Sequence, residues 1–411
     1  MRRKCTDSLI QWKKNPHRHP LLLQGLRQTG KTWLALDFAE KNYKNTLYLN
    51  LETDKPVADY LSVSRPPQDA LLFLEAYAEK PLLPSVSLLI LDNIQCVPEL
   101  STLLATISLD YPQYHILAIH RGLASPELYN KNDFHIISLY PLDFEEFLWA
   151  NAEYALSREI RRHFSTLTPL GKELHQKALS QFYLYLVTGG MPLSILEYRR
   201  EKKLLMVPDI QQKLLELILS DISSQAPTGM TRHCQNAWLS IPAQLEKSSR
   251  RFQYSLITKG ATAKTYEKPL DWLLRSGYAL ACRQTSLHLY PTDCGLCARV
   301  LGVPSYQLLT GSDTPAARAC TETFLAQHFT RNGYTLSYWS SGNQAEVPFL
   351  LEKEGRHIAV DYRLTPHQKT RNLTRFRAEM NTNAEMYLLS VEDFREKENY
   401  HIVPVYAGFC V

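Results

Sequence analysis

The sequence predicts an α/β fold: a parallel sheet flanked by helices, then a helix-rich region, then a smaller mixed α/β unit. Four observations point to it. Leu21-Leu22-Leu23 is an apolar run long enough for a buried strand. Behind it, Gly25-Leu26-Arg27-Gln28-Thr29-Gly30-Lys31-Thr32 fits G-x-x-x-x-G-K-[ST] at every fixed position. Next, about 60 residues further on, Ser87-Leu88-Leu89-Ile90-Leu91-Asp92 is a second continuous apolar run, and it ends in a carboxylate. Finally, strand-like and helix-like stretches alternate over roughly the first 140 residues, as a parallel sheet with helices on both faces requires.

The glycine-rich stretch carries specific chemistry. Its glycines let backbone N–H groups curl around phosphate oxygens, and the following helix adds its partial positive charge. Trp33, Leu34, Leu36 and Phe38 continue that helix without Pro or Gly. Lys31 is expected to reach the β- and γ-phosphates, and the Thr32 hydroxyl to ligate Mg²⁺. Asp92 ends its strand where a carboxylate faces that metal. The residue after it, where a water-polarising Glu commonly stands in hydrolysing relatives of this class, is Asn93. An amide orients a water but does not accept its proton. Hydrolysis is therefore expected to be slow or absent, with Glu52, at the end of the neighbouring strand, as the carboxylate that would compensate.

The other elements follow in order. Residues 1–20 read as a short amphipathic helix with Leu9, Ile10 and Trp12, then a polar turn. Asn45 to Glu52 is a strand, Asp69 to Lys80 a helix closed by Pro81 and Pro84, and His115 to Arg121 a core strand in the place of a sensor strand. Ile136 to Leu139 is a further strand. From Phe147 to about Lys203 the chain reads as helical, broken at Gly189-Gly190-Met191-Pro192, and another helix runs from Ile210 to Ile222. A helix-rich unit from Phe252 to Gly277 precedes two strands, Tyr278–Cys282 and Leu287–Tyr290, an order that suits a winged-helix module. Cys294-Gly295-Leu296-Cys297 lacks the second pair that a zinc site wants, and is read as a buried helix start. The last unit begins with a helix carrying Glu322 and continues with strands near 334–339, 347–351, 357–362 and 386–389. Glu322, Glu346 and Asp361, with Arg363, are the candidates there for metal-dependent phosphodiester chemistry.

Composition sets the bounds. A chain of 411 residues exceeds one ordinary core. With 45% hydrophobic and 21% charged residues it has the profile of a soluble globular protein. No apolar run reaches membrane-spanning length, and the basic N-terminal stretch lacks the apolar segment of a secretory signal. Eight scattered cysteines suit a reducing cytoplasm, the expected location. A net charge of +5 is too mild to argue for nucleic acid.

Several phrases together resemble a large family of prokaryotic AAA-type P-loop ATPases with a C-terminal, restriction-endonuclease-like domain of unknown function. They are GLRQTGKT, LYLNLE, LDNIQCVPEL, YPLDFEEFL, the GGMP turn, YSLITKGATAKTYEKPLDWLLRSG, LYPTDCGL, the helix with Glu322, and YWSSGNQAEVPFLL. The resemblance implies an AAA-type ATP-binding domain over 1–150 and an endonuclease-like domain over 311–411; the residue patterns between them are read as a helical lid over 151–207 and a helix-rich winged-helix-like region over 208–310. It also explains CGLC as a variant of a structural Asp-x-Gly-Leu turn. Three departures stand out. Asp92-Asn93 replaces Asp-Glu, His120-Arg121 replaces a small pair ending the sensor strand, and Pro348 replaces the Asp of Glu-Val-Asp-Phe. A proline offers no side-chain ligand, so the last domain is expected to be an inactive nuclease. Its basic residues Arg356, His357, Arg363, His367, Lys369, Arg371, Arg375 and Arg377 form a candidate phosphate-tracking cluster.

The function expected is a nucleotide-dependent switch with ATP and Mg²⁺ as cofactors. Two alternatives are a nucleic-acid-binding or nuclease-type protein controlled by its ATPase domain, and a structural assembly subunit that uses nucleotide as glue. The candidate partners are ATP or ADP, a nucleic acid, and a protein or second copy of the chain. A membrane is not among them.

Overall fold

The computed structural model describes residues 1–342, 344–366, 371–381 and 383–411. The chain divides into two compact units, one of Arg2–Tyr140 with Arg275–Gly277, the other of Pro141–Leu274 and Tyr278–Val411 with Met1.

The first unit runs α1 (Thr6–Lys14), β1 (Leu21–Gly25), α2 (Lys31–Asn42), β2 (Asn45–Asn50), α3 (Lys55–Leu61), α4 (Pro67–Ala78), β3 (Ser87–Asp92), α5 (Leu100–Asp110), β4 (His115–Arg121) and β5 (His135–Ser138). The strands form one parallel sheet in the order β2-β3-β4-β1-β5. Strand side chains alternate between faces, which explains why continuous apolar runs were needed. Leu21, Leu23, Leu88, Ile90 and Leu117 pack with α1 and α2 residues such as Leu9, Trp12, Leu34 and Phe38. Leu22, Leu47, Leu49, Leu89 and Leu91 pack on the other side with α3, α4 and α5 residues such as Val57, Leu74 and Leu104. All six residues of β3 are buried. This is a P-loop NTPase sheet. The helix α3 was not read in the sequence: seven residues beginning with a proline turn are too few to show a period.

The second unit begins with α6 (Phe144–Ala150), where Asp143 accepts from the Glu146 N–H as half of a capping box. It continues with α7 (Tyr154–Thr166), α8 (Lys172–Thr188), α9 (Pro192–Glu201), α10 (Val207–Gln225), α11 (Thr231–Leu245), α12 (Ala263–Arg275), and the antiparallel pair β6 (Ala279–Arg283) and β7 (Leu287–Pro291). Then come α13 (Cys294–Leu301), α14 (Ser305–Leu309), α15 (Pro315–Arg331), β8 (Thr335–Ser340), β9 (Glu346–Lys353), β10 (Arg356–Tyr362), α16 (Asn372–Met380), β11 (Glu385–Ser390), β12 (Arg395–Glu396) and β13 (His401–Pro404). The last six strands form one mixed sheet, β12-β13-β11-β10-β9-β8. The long helical stretch from 147 is cut at Leu167 and Gly171, which take positive φ, as well as at the Gly189-Gly190 turn.

That turn is held by close packing. Asp293, N-cap of α13, accepts from Leu296 N–H at 2.9 Å and from Gly190 N–H at 2.6 Å. A Cβ on Gly190 would lie 2.1 Å from the Leu142 carbonyl oxygen, so only glycine fits. Cys294 and Cys297 are buried in the first turns of α13. No single helix among the described residues is long and apolar enough to cross a membrane.

Candidate nucleotide site

The site forms at the C-terminal edge of the first sheet. Strand β1 ends at Gly25, at φ 145°, where an added Cβ would lie 2.2 Å from the Leu139 carbonyl oxygen. Leu26 and Thr29 are buried and Arg27 is half-buried, and the Thr29 hydroxyl donates to Leu26 O at 2.9 Å. Gln28 is exposed at φ 66°, and Gly30, at φ 92°, is the N-cap of α2. These left-handed turns curl the loop so that the helix starts beneath it. Lys31 is 8% exposed, and its Nζ donates to Gly25 O and Leu26 O at 2.7 Å each. An ammonium buried within its own loop is positioned for a phosphate.

Sequence spacing placed Thr32 and Asp92 together, and they meet: Thr32 Oγ1 donates to Asp92 Oδ2 at 2.6 Å. Tyr48 donates its hydroxyl to the same oxygen at 3.0 Å, and Asn93 N–H donates to Oδ1 at 2.8 Å. Burial, with the adjacent Asp92, holds the Tyr48 phenol well above its ordinary pKa, so it remains a donor. A hydroxyl and a carboxylate in contact are the two protein ligands that octahedral Mg²⁺ takes beside phosphate oxygens and water. The residues present therefore fit a nucleoside triphosphate with Mg²⁺.

Beside Asp92 lies a polar cluster that the sequence did not show. Asn93 takes a left-handed conformation, φ 59°. Its Nδ2 donates to Asn50 Oδ1 at 2.9 Å, while its Oδ1 accepts from Arg121 Nη2 at 3.0 Å and Gln95 Nε2 at 3.2 Å. Arg121 Nη2 also lies 2.5 Å from Glu52 Oε2. The Arg121 guanidinium holds the Glu52 carboxyl below its usual range. Glu52, the expected compensating base, is thus ionised and already paired. His120 is pushed down to about 4 by burial and is neutral at pH 7. Arg3 is a second residue that the sequence reading missed. It is 4% exposed and donates from Nη1 to Thr29 O at 2.8 Å and from Nη2 to Tyr140 O at 2.6 Å, bracing the loop from behind. Nothing in a basic N-terminal stretch marks one arginine for burial.

In the second unit, arginines hold the carboxylates suggested for metal. Arg250 Nε lies 2.6 Å from Glu322 Oε1, and its Nη1 lies 2.6 Å from Glu346 Oε1. Tyr362 donates its hydroxyl to Glu322 Oε1 at 2.6 Å. Burial raises the Glu322 carboxyl pKa, and Arg250 opposes that rise. Asp361 pairs with Arg363 Nη1 at 2.8 Å and accepts from Asn372 Nδ2 at 3.2 Å. Among the described residues, no three His, Cys, Asp or Glu side chains converge to hold a metal ion. The basic cluster is largely committed as well. Arg356 pairs with Glu385, Arg375 with Glu379, and Arg377 donates to Asn399. His367 and Lys369 lie outside the described residues.

Comparison with known proteins gives two family matches. Residues 17–148 match a family described as an AAA domain, and residues 179–307 match a domain of unknown function (DUF8612). No curated protein matches the chain. Among solved structures, a Walker-type ATPase of Pyrococcus abyssi is similar at 14% identity with a TM-score of 0.47, over 73% of this chain and 95% of that one. The Aeropyrum pernix Orc1 protein in complex with DNA is similar at 13% identity and a TM-score of 0.29, over 74% of this chain and 92% of that one. Caenorhabditis elegans PCH-2 gives 15% identity and 0.25, over 37% and 46%. The complete motif and the parallel sheet that carries it make residues 17–148 a P-loop domain, and this stretch is similar to the AAA domain family.

Proposed function

We propose that the chain is an ATP-binding switch whose hydrolysis is slow, and in which nucleotide occupancy sets the state of the C-terminal regions. The observation that carries this reading is the joined set Lys31, Thr32 and Asp92, with Asn93 locked beside it. Mg²⁺–ATP, when bound, supplies the transferable phosphoryl group and the divalent charge. Lys31 would hold the β- and γ-phosphates, and Thr32 and Asp92 the metal. Asn93 has both ends of its amide engaged, by Asn50 on one side and by Arg121 and Gln95 on the other. It orients neighbours and takes no proton. Loss of a general base costs about 10²–10⁴ in rate.

Titration of labelled ATP against the wild type and Lys31→Ala tests the reading. Binding by the wild type and a loss of about tenfold or more in the variant is expected. Equal affinities, or no wild-type binding, would overturn it.

In this reading 151–207 is a helical lid, and 208–310 a winged-helix-like region in which α10, α11 and α12 precede the β6–β7 hairpin. The last domain is endonuclease-like and inactive. The pairing of Glu322 and Glu346 with Arg250, and of Asp361 with Arg363, supports that inactivity. Cleavage of single- and double-stranded DNA or RNA with Mg²⁺ or Mn²⁺, abolished by Asp361→Ala, would refute it.

A further inference from the structure

One segment of the second unit turns both cations and leucines to solvent. After the Gly189-Gly190 turn, α9 buries Ser194 and Ile195. Away from them it carries Leu193 and Leu196, 38% and 47% exposed, and then Arg200, at the i, i+3, i+7 spacing of a single helix face. Lys202 caps the helix in a left-handed conformation, φ 53°, and leads into a short 3₁₀ turn, Leu204–Met206, that packs on α9 and α10. Leu205, the middle residue of that turn, is 85% exposed, the highest value of any large apolar side chain among the described residues, and Met206 beside it is 43% exposed. Single exposed leucines are ordinary on a protein surface; here they share one short segment with the cations Arg199, Arg200, Lys202 and Lys203. The carboxylates of the segment, Glu197 and Glu201, are both taken by Arg200, at 2.5 and 3.2 Å. Arg199 and Lys203 are exposed and make no ion pair among the described residues.

We propose that this segment is a peripheral membrane contact: α9 and the turn after it lie on an anionic lipid surface, with the exposed leucines entering the boundary between headgroups and acyl chains and the cations held at the lipid phosphates. On sequence, a membrane is set aside because no apolar run is long enough to cross one. That length governs crossing, and a basic amphipathic segment lies on a bilayer without it. The chemistry of the patch selects among occupants. A nucleic-acid backbone asks for cations and leaves the leucines in water. A second copy of the chain would bring the same excess of positive charge to the contact. A soluble acidic protein needs a matched surface of about 800 Å² and 20–30 residues a side, more than one helix face and one turn supply. A bilayer needs no matching shape, and a side chain that projects as Leu205 does meets it first. Long basic side chains beside such leucines bury their stems and keep their charges at the phosphate level.

Co-sedimentation of the full chain with lipid vesicles tests this. Vesicles of phosphatidylcholine with about 30% phosphatidylglycerol are expected to bind the wild type at least about tenfold more tightly than vesicles of phosphatidylcholine alone, and the difference should vanish between about 0.1 and 0.5 M salt. Two double variants separate the two components, and both alter exposed side chains, so the thermal midpoint should hold. Leu196→Ser with Leu205→Ser is expected to lower binding to the anionic vesicles about tenfold by removing the apolar contact. Arg199→Gln with Lys203→Gln is expected to lower it by a similar factor and to flatten its salt dependence. No binding to the anionic vesicles, equal binding to neutral ones, or full binding by either variant overturns the proposal. Binding of an acidic peptide or of double-stranded DNA that these variants weaken, in the absence of vesicle binding, overturns it in favour of that other occupant.

Discussion

Replacing Arg250 by Met asks whether one guanidinium keeps a buried carboxylate ionised in the second unit. Methionine keeps the apolar stem and removes the charge. The two partners are unequal: the Glu322 side chain is 1% exposed and the Glu346 side chain 28%. Glu346 can rehydrate when Arg250 is gone, whereas Glu322 stays in a low dielectric. Removing one partner of a buried pair costs about 3–5 kcal/mol. Because Arg250 is itself 20% exposed, the lower end applies, about 3 kcal/mol. For a unit of this size that is roughly 6–10 °C in thermal midpoint. The pH dependence has a definite sign. Burial raises the folded-state pKa of Glu322 above its unfolded value, and loss of Arg250 raises it further. The folded state then holds a proton that the unfolded state has released, so stability falls as pH rises through that window. The deficit of Arg250→Met should therefore be largest at pH 7–8 and shrink towards pH 5. Adding Glu322→Gln should recover most of it. Thermal unfolding of the wild type and both variants at four pH values is the assay. A loss under about 1 kcal/mol at pH 7, or one that neither acid nor Glu322→Gln relieves, would refute the argument.

Further outcomes follow from the other sites. Arg3→Ala frees the Thr29 and Tyr140 carbonyls, and should weaken ADP binding about 3–10-fold while costing about 1–2 kcal/mol of stability; calorimetric titration and melting read the two separately. Asp293→Ala leaves the Gly190 and Leu296 N–H groups without their acceptor, and should cost about 2–4 kcal/mol in denaturant unfolding. Burial pushes the Asp293 carboxyl up to about 6, above its unfolded value, so wild-type stability should decline from about pH 4 to 6, a slope that Asp293→Asn removes. Asn93→Glu should raise phosphate release about 10²-fold in a steady-state assay, and an unchanged rate would show that the Asn is not what limits hydrolysis.

The nucleotide-binding half was readable because its requirements are local. A strand buried on both faces needs an unbroken apolar run, a phosphate loop needs glycine at fixed places, and Thr32 and Asp92 follow from the motif. What could not be read is contact between distant parts of the chain. Arg121 meets Glu52 across 69 residues and Arg250 meets Glu346 across 96, and neither arginine sits in a pattern that marks it. Arg121 was noticed as a departure at the end of its strand, but its partners were not. The strands β12 and β13 escaped notice for another reason: two and four residues are too few to show alternation. The carboxylates Glu322, Glu346 and Asp361 were found, while the one arginine that neutralises the first two, Arg250, comes from a loop without periodicity.

The strand order of the first sheet also sets a timetable for synthesis. The phosphate loop is complete in sequence at Thr32, yet β1 lies between β4 and β5, with Leu21 to Gln24 paired to residues 117–120 on one side and 135–138 on the other. At ribosomal speeds, the hundred-odd residues in between take roughly 5–20 s to emerge. During that time the loop has neither neighbour, and the apolar run Leu21-Leu22-Leu23 is an unpaired strand open to any passing edge. A nascent chain of this protein therefore meets the two neighbours of β1 late, β4 first and β5 after it. A stalled or truncated product ending before residue 115 would be expected to bind chaperones rather than ATP.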